Sequence, residues 1–217
     1  MTTRKWVHLF FKTLFLGAIA AIITSFFVKS DSYTMFLDPF NAWELFGALI
    51  WFMGIGFLFS VVSQTGFFAY LFINQFGLSI FRNFWRPVQV ILLAFVLFDL
   101  IYFPYQNAGS DASVIPYALT ALVILGYGLV VAYVKAKETN QSAFLPAVFF
   151  MVVVTVIEWV PVLRTNQTDW MWLMIVPLLV CNTYQLLQLH RIVKTEEQQP
   201  GKAINRKQSK QKVTKAK

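Results

Sequence analysis

Two carboxylates lie inside otherwise apolar stretches of the sequence. Asp99 belongs to the string FDLIYF and Glu158 to VVVTVIEWVPV. An ionised carboxylate near the middle of a membrane helix costs about 2.5 to 3.5 kcal/mol, and such residues often mark a functional site. One interpretation is that the two groups meet and share a proton or a cation. The other is that each is hydrated near the outer surface or pairs with Lys29 or Arg164.

Three amides and one lysine are further candidates, with functional or structural roles inside a membrane. The amides are Gln64, Asn182 and Gln185, which we expect to hydrogen-bond between helices and fix their register. Lys12 lies four residues after His8, so both project from one face of a helix. Because a lysine can extend its ammonium group to the lipid headgroups, we interpret Lys12 as a lipid anchor.

Small residues recur at four-residue spacing in two apolar blocks, as Gly17 with Ala21 and as Gly56 with Ser60. This spacing allows two helices to approach closely. It serves either packing within the chain or the helix of a partner, and the sequence does not distinguish these.

Catalytic and metal-binding patterns are missing from the sequence. No G-x-S-x-G or H-E-x-x-H motif occurs, and Cys181 is the single cysteine. His8 and His190, the two histidines, fall at the opposite ends of predicted membrane helices from the carboxylates. A metal site within one chain would therefore need ligands far apart. We predict no catalytic residues, no cofactor, no metal and no enzyme activity.

The composition is that of an integral membrane protein. Hydrophobic residues make up 58% of the 217 residues and charged residues 13%, against about 25% charged in soluble domains. The mean hydropathy is +0.61. The apolar residues form long blocks, and the loops between them are too short to fold as domains. We therefore predict an all-α integral membrane protein, with residues 1–190 as its single membrane domain.

Six helices satisfy the requirement of about 20 apolar residues to cross a bilayer. The predicted spans are 7–28, 43–62, 88–105, 115–134, 143–163 and 170–190. The apolar block 43–81 is too long for one span, so we predict a break at Ser63 to Gly66. Residues 67–85 then form an interfacial or re-entrant segment on the cytoplasmic side, held by Arg82, Trp85 and Arg86.

Positive charge sets the predicted orientation. Lys and Arg favour the cytoplasmic side, and they flank both ends of the membrane domain. Both termini are therefore predicted in the cytoplasm of a bacterial cell. Residues 191–217 are predicted to be a disordered basic tail, attracted to anionic headgroups by about 1 kcal/mol per basic residue. We expect no nucleic-acid binding, because no aromatic platform accompanies the tail.

Five strings of the chain resemble the KinB-signalling pathway activation protein family (KbaA) of endospore-forming bacilli. They are WVHLFFKTLFLG (6–17), FSVVSQTGFFAYL (59–71), FDLIYF (98–103), VVAYVKAKETN (130–140) and VVVTVIEWVPVLR (152–164). The resemblance runs from about Arg4 to Arg191. It implies an accessory membrane protein, without enzyme activity, that a multispan sensor histidine kinase of the sporulation phosphorelay needs for full activity.

Two functional hypotheses follow from the sequence. In the first, the chain activates the kinase by packing helix against helix in the membrane, so the kinase is its predicted partner. The alternative is a small proton- or ion-coupled transporter that uses Asp99 and Glu158.

Overall fold

The computed structural model describes residues 3–37, 40–107, 113–163 and 167–214. Within these ranges the chain is almost entirely helical, which confirms the all-α prediction. The helices are α1 (Thr3–Val28), α2 (Ser30–Leu37), α3 (Ala42–Phe81), α4 (Trp85–Asn107), α5 (Ile115–Glu138), α6 (Phe144–Phe149), α7 (Thr155–Leu163) and α8 (Thr168–Thr214).

A central rod organises the bundle. It consists of α6, a π-helical turn at Phe150–Val154, and α7. The side chains of Phe150, Met151 and Val152 are completely buried. Phe150 packs edge-on against Phe67 of α3, with ring centroids 5.6 Å apart, and a Cβ atom built on Gly128 of α5 would lie 2.8 Å from Val152. The middle of the rod, residues 147–156, is buried throughout, whereas Phe144 and Ile157 nearer its ends are exposed.

The two pairs of small residues pack against each other between α1 and α3. A Cβ atom built on Gly56 would lie 2.6 Å from Cα of Ala18 and 2.8 Å from Cβ of Ala21, and one built on Gly17 would overlap the hydroxyl of Ser60. The pattern therefore serves packing within the chain.

The predicted break at Ser63 to Gly66 is wrong, because α3 continues through these residues to Phe81. Its 40 residues span about 60 Å. The polar side chains are accommodated without a break: Thr65 Oγ1 donates to the carbonyl of Val61 at 2.9 Å, and Ser63 bonds to α8. The helix ends where Arg82 adopts a positive φ of 47°.

Residues 67–85 are consequently the end of α3, the turn Arg82–Phe84 and the start of α4. One face of this segment packs on the central rod, where the Tyr70 hydroxyl donates to the carbonyl of Pro146 at 3.1 Å. Trp85 turns back towards α3 and donates from Nε1 to Oδ1 of Asn74 at 2.9 Å. The segment is therefore part of the bundle, and its location at the cytoplasmic surface stays a prediction.

The last helix is longer than predicted. α8 continues to Thr214, whereas we expected disorder from residue 191. The sequence after residue 191 is rich in Lys and Gln, which are good helix formers. It also contains Pro200 and Gly201, which disfavour a helix, so local propensity alone does not account for the extension.

Within the described residues, five helical stretches are long and apolar enough to cross a membrane. They are Arg4–Val28, Ala42–Gln106, Ile115–Glu138, Gln141–Leu163 and Thr168–Arg191. The second stretch contains both α3 and α4, with the turn at Arg82–Phe84 between them. The count of six spans therefore stays a prediction.

Candidate functional site

Five buried polar residues from three helices form one hydrogen-bonded cluster, which we call the polar network. Asn182 of α8 donates from Nδ2 to Oγ1 of Thr155 and to Oε2 of Glu158, both at 2.9 Å. Its Oδ1 accepts from the Ser63 hydroxyl of α3 at 2.6 Å. Gln185 Nε2 donates to the same hydroxyl at 2.7 Å. The network therefore ties α3, α7 and α8 together.

Helical spacing places these side chains opposite one another. Asn182 and Gln185 are three residues apart on α8, and Thr155 and Glu158 are three residues apart on α7, so each pair occupies one helix face. The expected interhelical bonds of the two amides are confirmed. Ser63 and Thr155 were not predicted as members of the network. The repeated three-residue spacing of polar residues was the signal that could have found them.

Glu158 is only partly satisfied by the network. Within the described residues its Oε1 atom has no hydrogen-bond partner, and a Cβ atom built on Gly66 of α3 would overlap that oxygen. Gln64, the third predicted amide, is buried, but its Nε2 has no partner in the described part of the chain either. Nε2 of Gln64 thus does not make the interhelical hydrogen bond that was predicted for this side chain.

Asp99 lies in a different place, in a groove of about 330 Å³ between α4 and α7. The lining residues are Asp99, Leu100, Phe103, Pro104, Val156, Val160 and Leu163. Val156 and Val160 each lie two positions from Glu158, which is more than half a turn of helix. Asp99 and Glu158 therefore face different sides of α7, and the structure does not bring them together as a shared site.

The predicted pairing of Asp99 or Glu158 with Lys29 differs from the structure. Lys29 forms an ion pair with Asp169 at the start of α8, with 2.6 Å between Nζ and Oδ2. Arg164 lies outside the described residues. Lys12 and His8 are exposed on α1, and the role of Lys12 as a lipid anchor stays a prediction.

A second polar cluster joins the end of α5 to α8. Lys135 is buried, and its Nζ donates to the carbonyl of Leu186 at 2.7 Å and lies 3.2 Å from Nδ1 of His190. Glu138 carboxylate oxygens lie 3.5 Å from His190 Nε2 and 3.7 Å from Arg191. The predicted span 115–134 ends one residue before Lys135, whereas α5 continues to Glu138. The three-residue spacing of Lys135 from Glu138 was the available sign of a longer helix.

The chemistry of these groups is that of binding and positioning. The polar network is built from hydroxyls, amides and one carboxyl group. Among the described residues, no three His, Cys, Asp or Glu side chains come close enough to hold a metal ion. The hydrogen bonds of the network join α3, α7 and α8, and Oε1 of Glu158 is the atom of its carboxylate that has no partner among the described residues. The fold and site thus define a small helical-bundle protein with long apolar helices and a buried polar network.

Comparison with known proteins identifies the family. The chain belongs to the KbaA family, described as KinB-signalling pathway activation in sporulation, whose model matches residues 17–192. It is 40% identical over 192 residues to the KinB-signaling pathway activation protein of Bacillus subtilis (strain 168). The alignment covers 87% of this chain and 97% of that relative. No solved structure gives a significant match.

Proposed function

We propose that this protein is a membrane-embedded, non-enzymatic activator of the sensor histidine kinase in KinB signalling, which feeds the sporulation phosphorelay. The observation that carries the proposal is the similarity to the Bacillus subtilis relative named for this activation. It extends over nearly the whole length of that protein.

The distribution of apolar side chains supports a membrane location. Large apolar residues are exposed along the outside of the bundle, including Phe15 on α1, Trp51 and Leu58 on α3, and Phe95 on α4. Soluble monomers rarely expose contiguous apolar patches larger than a few hundred Å². In a bilayer these faces contact lipid, and both termini, with their basic residues, lie at the anionic cytoplasmic leaflet.

The proposed mechanism is helix packing against the kinase. A protein can shift the equilibrium between two kinase states only if it binds one of them more tightly. Van der Waals packing and interhelical hydrogen bonds supply such differential binding inside a membrane. The polar network and the contact of α1 with α3 keep the surface that the kinase meets in one shape.

A genetic experiment tests the proposal. The gene is deleted in its own spore-forming host, in one strain that depends on this kinase and in a second that depends on another sporulation kinase. We expect delayed sporulation in the first strain alone, with recovery when the gene is returned. Unchanged sporulation in the first strain would contradict the proposal.

A further inference from the structure

The groove between α4 and α7 contains one acidic group among apolar walls. Asp99 lies beside Leu100 and Phe103 on α4, facing Val156 and Val160 on α7. The volume of about 330 Å³ is far larger than the 10 to 15 Å³ that one water needs. Asp99 has no hydrogen bond or ion pair with any side chain in the described ranges.

Such a group is costly unless something pairs with it. Asp99 is 14 positions after Trp85 in α4, which places it about 21 Å along the helix axis. In the proposed topology this is inside the hydrocarbon core of about 30 Å. Intramembrane carboxylates usually pair with a cation or face a polar cavity. Two other acidic groups already have partners: Glu158 bonds to Asn182, and Asp169 pairs with Lys29.

We infer that this groove receives a lysine or arginine side chain from a transmembrane helix of the sensor kinase, and that its charge pairs with Asp99. This inference rests on the proposed function, and it identifies the contact through which the protein binds the kinase.

The shape and charge of the groove fit this occupant. A lysine or arginine stem is apolar and packs along apolar walls, while its charged end reaches an acceptor. Here Leu100, Val156 and Val160 form the wall and Asp99 is the acceptor. The rim is also apolar, because Phe103 lines the groove and is 55% exposed. A partner helix can therefore pack on the rim and direct one basic side chain inward.

Co-purification of the kinase tests the pairing. The tagged protein and the kinase are co-expressed, solubilised in mild detergent and purified through the tag. We expect Asp99→Asn to lower the recovered kinase at least tenfold and Asp99→Glu to retain it. Asp31→Asn is the matched control, since Asp31 is an exposed acid on α2, and it should have no effect. Equal amounts of each variant in the membrane show that folding is unchanged.

A charge exchange identifies the occupant. Each intramembrane Lys or Arg of the kinase is changed to Glu, and each variant is combined with Asp99→Lys. We expect one combination to restore recovery. If none does, or if Arg164→Gln causes the same loss as Asp99→Asn, the partner is a lipid amine or a group of this chain, and the inference is overturned.

Crosslinking gives a readout that needs no change at Asp99. A photoreactive amino acid replaces Phe103 at the rim, or Phe15 on α1 as the exposed control. We expect kinase adducts from position 103 alone. If the wild type recovers kinase but position 103 gives no adduct, or Asp99→Asn recovers as much, the inference fails and the proposed function stands. If deletion of the gene leaves kinase signalling unchanged, the proposed function itself fails.

Discussion

The carboxylate of Glu158 on α7 lies directly against the backbone of Gly66 on α3. A methyl group at position 66 would overlap Oε1 of Glu158, while Oε2 accepts a hydrogen bond from Asn182. The absence of a side chain at Gly66 is thus what lets α7 approach α3 closely enough for Glu158 to join the polar network.

Gly66→Ala should lower stability by about 1 to 3 kcal/mol, because the added methyl overpacks a closed contact. Gly54→Ala on the same helix is the control. A Cβ atom there meets nothing within 4 Å, so the change should stabilise by up to about 1 kcal/mol through helix propensity. Thermal unfolding of the purified proteins in detergent measures both.

A second substitution tests whether the overlap with Glu158 causes the loss of stability in Gly66→Ala. Adding Glu158→Ala removes the overlapped carboxylate, so it should relieve part of the cost of Gly66→Ala. Equal stability of Gly66→Ala and Gly54→Ala would show that the contact with Glu158 does not constrain α3.

Asn182→Ala should lower stability by about 1 to 3 kcal/mol. The change removes the acceptor of Ser63 and the donor to Glu158, and it leaves those buried groups unsatisfied. The control Asn83→Ala removes an exposed amide and should change the stability by less than about 0.5 kcal/mol. The comparison is made by thermal unfolding, and similar losses from both variants would argue against the network as a tie between helices.

Two lysines should differ in their contribution to stability. Lys29 pairs with Asp169 near the surface, and such pairs contribute about 0 to 1 kcal/mol. Lys135 is buried and bonded to the carbonyl of Leu186, where a charged hydrogen bond contributes about 1.5 to 3 kcal/mol. Lys135→Gln should therefore lower the melting temperature more than Lys29→Gln. The opposite order would contradict the burial of Lys135.

Cysteine labelling tests the predicted orientation. Ser79 and Asn83 are exposed near the turn between α3 and α4, and Cys181 is buried beside Ser60. In a Cys181→Ser background, Ser79→Cys and Asn83→Cys should react with a membrane-impermeant thiol reagent in inverted vesicles and not in intact cells. Labelling of Asn83→Cys from outside would refute the cytoplasmic location of this turn and the charge rule used to place it.

Helix positions were largely predictable because apolar blocks of about 20 residues leave few alternatives to a helix. The continuity of α3 was not predictable in this way. Local polarity alone indicates a break in the helix at Ser63, Gln64 and Gly66. The neighbours of Ser63 and Gly66 on α8 and α7 lie more than 90 residues away in the sequence. Only the tertiary arrangement shows that polar residues there are buried.

The candidate site was predicted in part for the same reason. Asn182 and Gln185 stood out as amides in an apolar block, and their interhelical bonds followed from the lack of water. The separation of Asp99 from Glu158 depends on the rotation of α7, which composition does not encode. The burial of Lys135, one residue beyond the predicted span 115–134, was not predictable, because a charged residue near a helix end has the same sequence pattern whether it faces solvent or another helix.

The π-helical turn at Phe150–Val154 determines the directions in which the side chains of α7 point around the helix axis. Such a turn accommodates one extra residue, and each α-helical residue advances about 100° around the axis. Removing one residue here would turn Glu158 away from α8 and, in the same motion, turn Val156 and Val160 away from Asp99. The number of residues in this turn therefore fixes the orientation of both faces of α7. A one-residue deletion would misalign both faces even if every remaining side chain were unchanged.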